Sequence, residues 1–316
     1  MKKVLITGGA GFIGANLIRK LVGLPDFNLF LIEKKNANLW RIKDIAHRIK
    51  INWVDLEDFN NLSKIINQIK PEIIFHLASY GVYPSFQKDI NQMINTNITG
   101  TINLINSLKN HQILSFINTS TCFVYKEKKI RLKENDSIDP LNYYAITKLA
   151  GELLLKKIAI NNNMPIINLR IFTPYGYYED SQRLIPNIIL NALGNREIKL
   201  ASPNNVRDFI FIEDLVNLFL KIVKNKKISQ YKGEIFNIGS GQQCSVAEII
   251  SIVENLLSRK LKVIYGGGGY YQEPKNLVAD SSKAKKLLGW KVRHDIKSGL
   301  NKTIKWFKNN IKLYER

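Results

Sequence analysis

The chain is poor in the residues that hold small or fibrous proteins together. Its 316 residues include two cysteines, Cys122 and Cys244, too few for a disulfide framework and suited to a reducing compartment. Nine prolines and 19 glycines are few and unperiodic, which excludes a collagen-like chain. No stretch reaches the roughly 20 apolar residues that a membrane helix needs, so no membrane insertion is expected. Met1-Lys2-Lys3 runs straight into Val4-Leu5-Ile6-Thr7 with no small-residue cleavage site. That start predicts no secretory signal and a cytoplasmic protein.

Acidic residues are scarce too: 26 Asp and Glu stand against 47 Lys and Arg, a net charge of +21. A surplus of that size suits anionic partners such as nucleic acid, an acidic lipid surface or phosphorylated small molecules. The lysines are scattered, however, and the basic stretches at 126–133, 224–227 and 302–316 are short and lack interleaved aromatics. Compositional drift is the favoured reading, and no nucleic-acid partner is expected.

What is present is an ordinary globular composition, 45% apolar and 23% charged. At roughly 150 residues per domain the length suggests two domains. Strand-like runs at 3–7, 28–33, 51–54, 72–77, 114–119 and 166–171 alternate with helix-like stretches at 11–22, 60–69, 89–109 and 142–161. Such alternation predicts an α/β fold, a doubly wound parallel sheet with ligands at the carboxyl ends of its strands. The second half is less regular. It predicts helices at 213–224, near 246–257 and near 296–312, strands at 234–238 and 261–265, and a glycine-rich loop at 266–269. In the last helix Leu300, Ile304, Phe307 and Ile311 share one face, read as core.

The sharpest local signal is Thr7-Gly8-Gly9-Ala10-Gly11-Phe12-Ile13-Gly14, between a strand run and an apolar helix. The spacing of Gly8, Gly11 and Gly14 suits a dinucleotide turn, with backbone N–H groups at the helix start facing a pyrophosphate. Glu33 ends the next strand run, where an acidic side chain accepts hydrogen bonds from an adenosine ribose and repels a 2′-phosphate. That favours NAD. Lys34, Lys35 and Arg41 follow and leave NADP open, because they could attract that phosphate. Asp55 is a candidate for the adenine edge, or else a helix cap.

Tyr144-Ala145-Ile146-Thr147-Lys148 opens a helix-like stretch, and positions four apart share a helix face. An ammonium there favours the phenolate of Tyr144, and a tyrosine so tuned can exchange a proton with a sugar or alcohol hydroxyl. Thr119-Ser120-Thr121-Cys122 ends the fifth strand run and supplies hydroxyls that can hold the reacting oxygen, or serve as ordinary strand-end chemistry.

With these elements in this order, the sequence resembles the extended short-chain dehydrogenase/reductase superfamily, in its sugar-nucleotide epimerase/dehydratase branch. The likeness covers nearly the whole chain. It runs through Thr7–Gly14, Asp55-Leu56, His76-Leu77-Ala78-Ser79, Asn97-Ile98-Thr99-Gly100-Thr101 and the segment 118–125. It continues through Tyr144 to Lys148, the segment 170–176, Val206-Arg207-Asp208-Phe209, Asn237-Ile238-Gly239, 279–284 and Leu288-Gly289-Trp290. The resemblance implies a Rossmann-type domain over 1–172, with 205–240 returning to it. It implies a smaller C-terminal α/β substrate domain from 173–204 and 241–316, and a homodimer through the helices near 89–109 and 142–162.

It further implies Tyr144 as acid/base, Lys148 as its partner and Thr121 as the catalytic hydroxyl. Gly8, Gly11, Phe12, Ile13, Gly14, Glu33, Asp55, Leu56, Leu77, Ala78, Ser79, Asn97, Thr119, Tyr144, Lys148 and Phe172 would bind the cofactor. Thr121, Tyr144, Thr173 and Arg207 would bind a nucleotide-diphosphate sugar, and no metal site is assigned. Departures narrow the chemistry. The 4,6-dehydratases carry Asp-Glu directly after the catalytic Thr, where this chain has Cys122-Phe123. Epimerases acting at C3 and C5 need a Cys and a His, at positions held here by Phe123 and Arg183. Tyr270, near Glu273, replaces an arginine that contacts the diphosphate, and Thr173 replaces a frequent Asn. The expected activity is that of an NAD-dependent sugar-nucleotide 4-epimerase, resembling UDP-glucose 4-epimerase. An NAD(P)H-dependent 4-ketoreductase is the alternative, and a non-catalytic nucleotide- or RNA-binding protein on the same fold is the third reading.

Overall fold

The structure is a computed structural model that describes residues 1–83, 87–225, 227–266 and 276–315. Tyr270, Glu273 and positions 267–269 of the glycine-rich loop lie outside the described residues. In chain order the first half forms β1 (Lys2–Thr7), α1 (Phe12–Leu21), β2 (Phe27–Glu33), β3 (Lys50–Trp53), α2 (Phe59–Ile69) and β4 (Ile73–His76). It continues with α3 (Ile90–Ile94), α4 (Gly100–Ser107), β5 (Ser115–Thr121), α5 (Tyr143–Asn161) and β6 (Ile166–Ile171). The rest forms β7 (Thr173–Tyr175), α6 (Leu184–Leu193), β8 (Ile198–Leu200), β9 (Val206–Arg207), β10 (Phe209–Phe211), α7 (Ile212–Lys224) and β11 (Ile235–Ile238). After these come β12 (Cys244–Ser245), α8 (Val246–Leu257), β13 (Val263–Tyr265), β14 (Asn276–Leu277), α9 (Ser282–Leu288) and α10 (Ile296–Asn310).

Seven strands form one sheet in the order β11-β6-β5-β4-β1-β2-β3, which is the Rossmann-type doubly wound arrangement. The strands read as unbroken apolar runs because helices cover both faces. On one face Leu5, Phe30, Ile32, Ile74 and Phe116 pack with Leu62 and Ile66 of α2, Leu104 of α4 and Leu155 of α5. On the other, Phe75 meets Phe219 of α7 edge-on, with ring centroids 5.4 Å apart. Parallel register sets Thr7 beside His76 and Ile32, and His76 beside Asn118. The carboxyl ends of β1, β2 and β4 therefore lie nearly level, β5 runs three residues further to Thr121, and the glycine turn starts from β1 in their midst.

The helix expected over 89–109 is broken. α3 and α4 are separated by a π-helical turn, Asn95–Thr99. Wide turns of this kind gather at functional sites. Here the turn presents Asn97, whose side chain is wholly engaged by the neighbouring backbone and α5, as described below.

Two compact units emerge. The first holds Met1–Lys126, Asp136–Ile171 and Leu218–Phe236. The second holds Glu127–Asn135, Phe172–Asn217 and Asn237–Arg316. Of the stretch 205–240 that the sequence reading returned to the first domain, only 218–236 clusters there. The preceding residues go with the second unit because β10 pairs with β7, and β9 with β12 and β14. Asp208, fully buried, ties that unit's loops together by accepting from the N–H groups of Ser240 (2.6 Å), Gly241 (2.9 Å) and Ala279 (2.9 Å).

Candidate active site

The glycine turn is built by close approach. Gly8 sits at φ +70°, and a Cβ there would lie 2.6 Å from the Ala78 backbone nitrogen. The chain leaving β4 thus crosses directly over the turn, which requires glycine at position 8. A Cβ on Gly14 would lie 2.4 Å from the Gly8 carbonyl oxygen, so this glycine lets α1 start against the turn. Gly11 donates its N–H to the Gly8 carbonyl at 3.2 Å and caps α1 without any side-chain acceptor. The N–H groups of Phe12, Ile13 and Gly14 open the helix and have no intrahelical partner. A phosphate is the natural acceptor for such a set.

Glu33 is turned toward this loop: its Oε1 accepts from the Ala10 N–H at 2.8 Å. Burial pushes its carboxyl up to about 7, opposed by the backbone hydrogen bonds from Ala10 and Gly9. The sequence reading gave this carboxylate to an adenosine ribose, and in the structure it also fixes the glycine turn. Of the basic residues behind it, Lys34 and Arg41 are occupied, and Lys35 is exposed. Lys34 pairs with Asp55 at 3.1 Å and Glu57 at 3.3 Å, and Arg41 is buried with Nη1 3.4 Å from the Ala10 carbonyl. Asp55 also accepts from the Glu57 N–H, while the cap of α2 is Asp58. Leu56 packs its side chain into the core and Ser79 is half-buried.

A buried chain of hydrogen bonds joins the turn to α5. The Ala78 N–H reaches Thr7 Oγ1 at 3.3 Å, and Thr7 Oγ1 lies 2.8 Å from His76 Nδ1. His76 Nε2 lies 2.9 Å from Thr101 Oγ1, which donates to the Asn97 carbonyl at 2.8 Å. Because Thr101 spends its proton on Asn97, His76 must donate through Nε2 and accept from Thr7 at Nδ1. This fits a neutral ring: burial first, and then the nearby Lys148, take His76 down to about 3. Asn97 Oδ1 accepts from the Tyr80 N–H, and its Nδ2 donates to the Tyr80 carbonyl and to Thr147 Oγ1. Thr147 in turn donates to the Tyr144 carbonyl at 3.0 Å.

Asn142 starts α5 by accepting from the Ala145 N–H at 2.9 Å, which fixes Tyr144 in the first turn. The approach to that cap is stitched to the end of β5. Leu141 N–H donates to the Phe123 carbonyl, Asp139 N–H to that of Val124, and Tyr125 bridges to Ile138. Thr121 is buried and its Oγ1 accepts from the Phe123 N–H at 3.3 Å. Its hydroxyl hydrogen is left to donate. Thr119, by contrast, gives its hydroxyl hydrogen to the His76 carbonyl, tying β5 to β4.

Lys148 is 5% exposed, one turn beyond Tyr144. Burial lowers it to about 8, against the upward pull of Glu152. Among the described residues its ammonium makes no hydrogen bond and no ion pair. A buried cation without an acceptor among the described residues, near the His76 that is hydrogen-bonded to Thr7 at the start of the glycine turn, fits the ribose and diphosphate of an adenine dinucleotide. In the second unit Phe172 is buried and donates its N–H to the Ile238 carbonyl, while Thr173 N–H reaches the Asp208 carbonyl. Arg207 is also buried there, on β9.

Sequence reasoning gave no role to Thr7, Thr101, Thr147, Glu152 and Arg170. Thr7, Thr101 and Arg170 lie in segments that carry the family resemblance, Thr147 lies inside the Tyr-to-Lys spacing, and Glu152 continues that spacing by four.

Comparison with known proteins identifies the family. The model of the NAD dependent epimerase/dehydratase family matches residues 4–239. An uncharacterized UDP-glucose epimerase of Bacillus subtilis is 31% identical, covering 96% of each chain. The UDP-glucuronate 4-epimerase of Thermodesulfobacterium geofontis is also 31% identical, over 98% of this chain and 97% of that one. Among solved structures, the UDP-glucuronic acid 4-epimerase of Bacillus cereus, in complex with UDP-glucuronic acid and NAD, superposes with a TM-score of 0.87. It is 29% identical and covers 98% of this chain and 99% of that one.

Proposed function

We propose, on the premise that this chain belongs to the NAD dependent epimerase/dehydratase family, that it is an NAD-dependent 4-epimerase of nucleoside-diphosphate sugars. The observation that carries the reading is the end of β5 beside the start of α5. Tyr144 and Lys148 stand one turn apart on α5 and Thr121 ends β5, and Thr121 is followed by Cys122 and Phe123. Cys122 is a buried free thiol, and Phe123 has no proton to exchange. An acid/base pair for eliminating water is therefore missing, and the set that exchanges one proton at one hydroxyl is complete.

When bound, NAD supplies the reversible oxidation at C4 of the sugar. The α1 N-terminus and the glycine turn hold its diphosphate, and Glu33 faces the adenosine side. Lys148 donates to the nicotinamide ribose and favours the phenolate of Tyr144. Tyr144 removes the proton of the C4 hydroxyl and returns it once the 4-keto sugar has turned over. Thr121 donates its hydroxyl hydrogen to the same oxygen and holds it against the phenol. Thr173 and Arg207 serve the sugar and the diphosphate. UDP-hexoses and UDP-hexuronic acids are the first substrates to try, because relatives with those names match over nearly their whole length.

The reading includes a homodimer. Ile146 and Leu153 on α5 and Ile90 and Ile94 on α3 are apolar yet 40 to 48% exposed, on helices that pack together. A second copy is the partner that would cover them. The cytoplasm is the proposed compartment, and two buried free cysteines suit it.

The test is to incubate the protein with UDP-glucose, UDP-galactose and UDP-glucuronate and to resolve the products by chromatography. A C4 epimer formed with no net change in NADH is expected. Stoichiometric consumption of NADH or NADPH by a 4-keto sugar would make the protein a reductase, and loss of water would make it a dehydratase.

A further inference from the structure

The face of α5 that carries Tyr144 and Lys148 continues one turn further to Glu152. Glu152 is fully buried, and Arg170 of β6 grips it from the sheet, with Nη2 2.6 Å from Oε1 and Nε 3.0 Å from Oε2. Arg170 is itself 1% exposed and lies with its guanidinium 4.7 Å from the centre of the Tyr125 ring. Ser120 lies opposite Arg170 in the β5–β6 register, and Asn118 donates to Asn168 at 2.8 Å. Toward the far end of the same interface Phe116, Leu155, Ala159 and Ile166 make it wholly apolar. Polarity therefore rises along α5 toward Tyr144.

Cohesion alone does not explain a charged pair here. Desolvating both ions cancels much of their attraction, and apolar side chains of similar size hold a helix to a sheet at least as well. What sets this spot apart is Lys148, one turn away, buried and without an acceptor among the described residues.

We infer that Glu152 and Arg170 form a positioning pair for Lys148. Arg170 fixes the carboxylate, and the carboxylate supplies the counter-charge that keeps the buried amine an ammonium. The inference rests on the reading of Lys148 as the partner of Tyr144. Among the described residues, the titratable groups coupled to Lys148 are Glu152 of its own helix and the neutral His76 of β4, with Arg170 of β6 and Tyr125 beyond the carboxylate; Tyr144 lies one turn before Lys148 on α5. Glu152 is thus the negative charge in this surrounding. Arg170 does not act on Lys148 directly; it fixes the orientation of the carboxylate.

The two partners are then expected to behave oppositely. The experiment is a pH titration of the protein labelled with carbon-13 in its lysines, followed by NMR without any sugar. Lys148 is identified by the resonance missing in Lys148→Arg. The wild-type midpoint is expected near about 8. Glu152→Gln should lower it by about one unit or more, Glu152→Asp should restore it, and Arg170→Gln should not lower it. If Glu152→Gln fails to fold, the double variant Glu152→Leu with Arg170→Met removes both charges and is expected to lower the midpoint too, by less, because the Arg170 charge goes with the carboxylate. An unmoved midpoint without Glu152, or an equal fall in both single variants, would overturn the inference. Inactivity on every UDP-sugar would sink the proposed function and leave this titration as it stands.

Discussion

At the residue scale, two buried groups titrate out of their ordinary range in opposite senses. His76 sits at about 3 against an ordinary histidine value of 6.5, so protons bind it in the unfolded chain first. Its contribution is present above 6.5 and is lost as pH falls toward 3. Glu33 sits at about 7 against 4.5, so protons bind it in the folded chain first. Its contribution is present below 4.5 and is lost as pH rises through 7. Between about pH 4.5 and 6.5 the two slopes, each about 1.4 kcal/mol per pH unit, should cancel. Urea unfolding across that window should therefore show little slope from this pair in the wild type. His76→Gln should unmask a rise in stability as pH falls, and Glu33→Gln a decline. Equal slopes in all three proteins would mean that these groups are not buried as described. Tyr144→Phe is the corresponding test of chemistry. Losing the exchangeable proton should lower kcat by about a hundredfold or more, while NADH titration by fluorescence still shows binding.

At the element scale, the glycine turn separates packing from ligand approach. Gly8 combines φ +70° with backbone atoms 2.6 to 2.8 Å from any Cβ. Gly8→Ala should cost about 2–4 kcal/mol in chemical denaturation, since neither strain nor overlap can relax. Gly11 has an ordinary φ of −74° and a nearest neighbour at 3.1 Å. Gly11→Ala should leave folding nearly intact and weaken NADH binding, and a large stability loss there would show that the residue serves packing instead. This turn was legible in the sequence because strand, glycines and helix are contiguous. So were the first six strands of the sheet, as apolar runs. The helix over 89–109 was not, because the π-helical turn changes no residue type and leaves the apolar period nearly intact. Strands β7, β8, β9, β10, β12 and β14 span only two or three residues each and carry no period to read. The Glu152–Arg170 pair was hidden for a different reason. Its members lie 18 positions apart and meet only once β6 has docked beside β5.

At the scale of the whole molecule, the net charge of +21 acts on association. In the proposed dimer two such chains meet through the apolar stripe of Ile146, Leu153, Ile90 and Ile94. Lys156 and Lys157 stand exposed on the same helix, α5. Apolar burial favours this contact, and like-charge repulsion opposes it. Salt screens the second term and leaves the first nearly untouched, since the Debye length falls below ~10 Å above about 0.1 M. The dimer should therefore tighten between about 50 and about 300 mM sodium chloride in sedimentation equilibrium. A contact held by opposite charges would loosen over the same range. Ile146→Lys combined with Leu153→Lys adds two charges per chain at the stripe itself and should give monomers at all these salt concentrations. A wild-type protein that stays monomeric throughout, or a double variant that still dimerises, would place the oligomer contact elsewhere and leave the stripe unexplained.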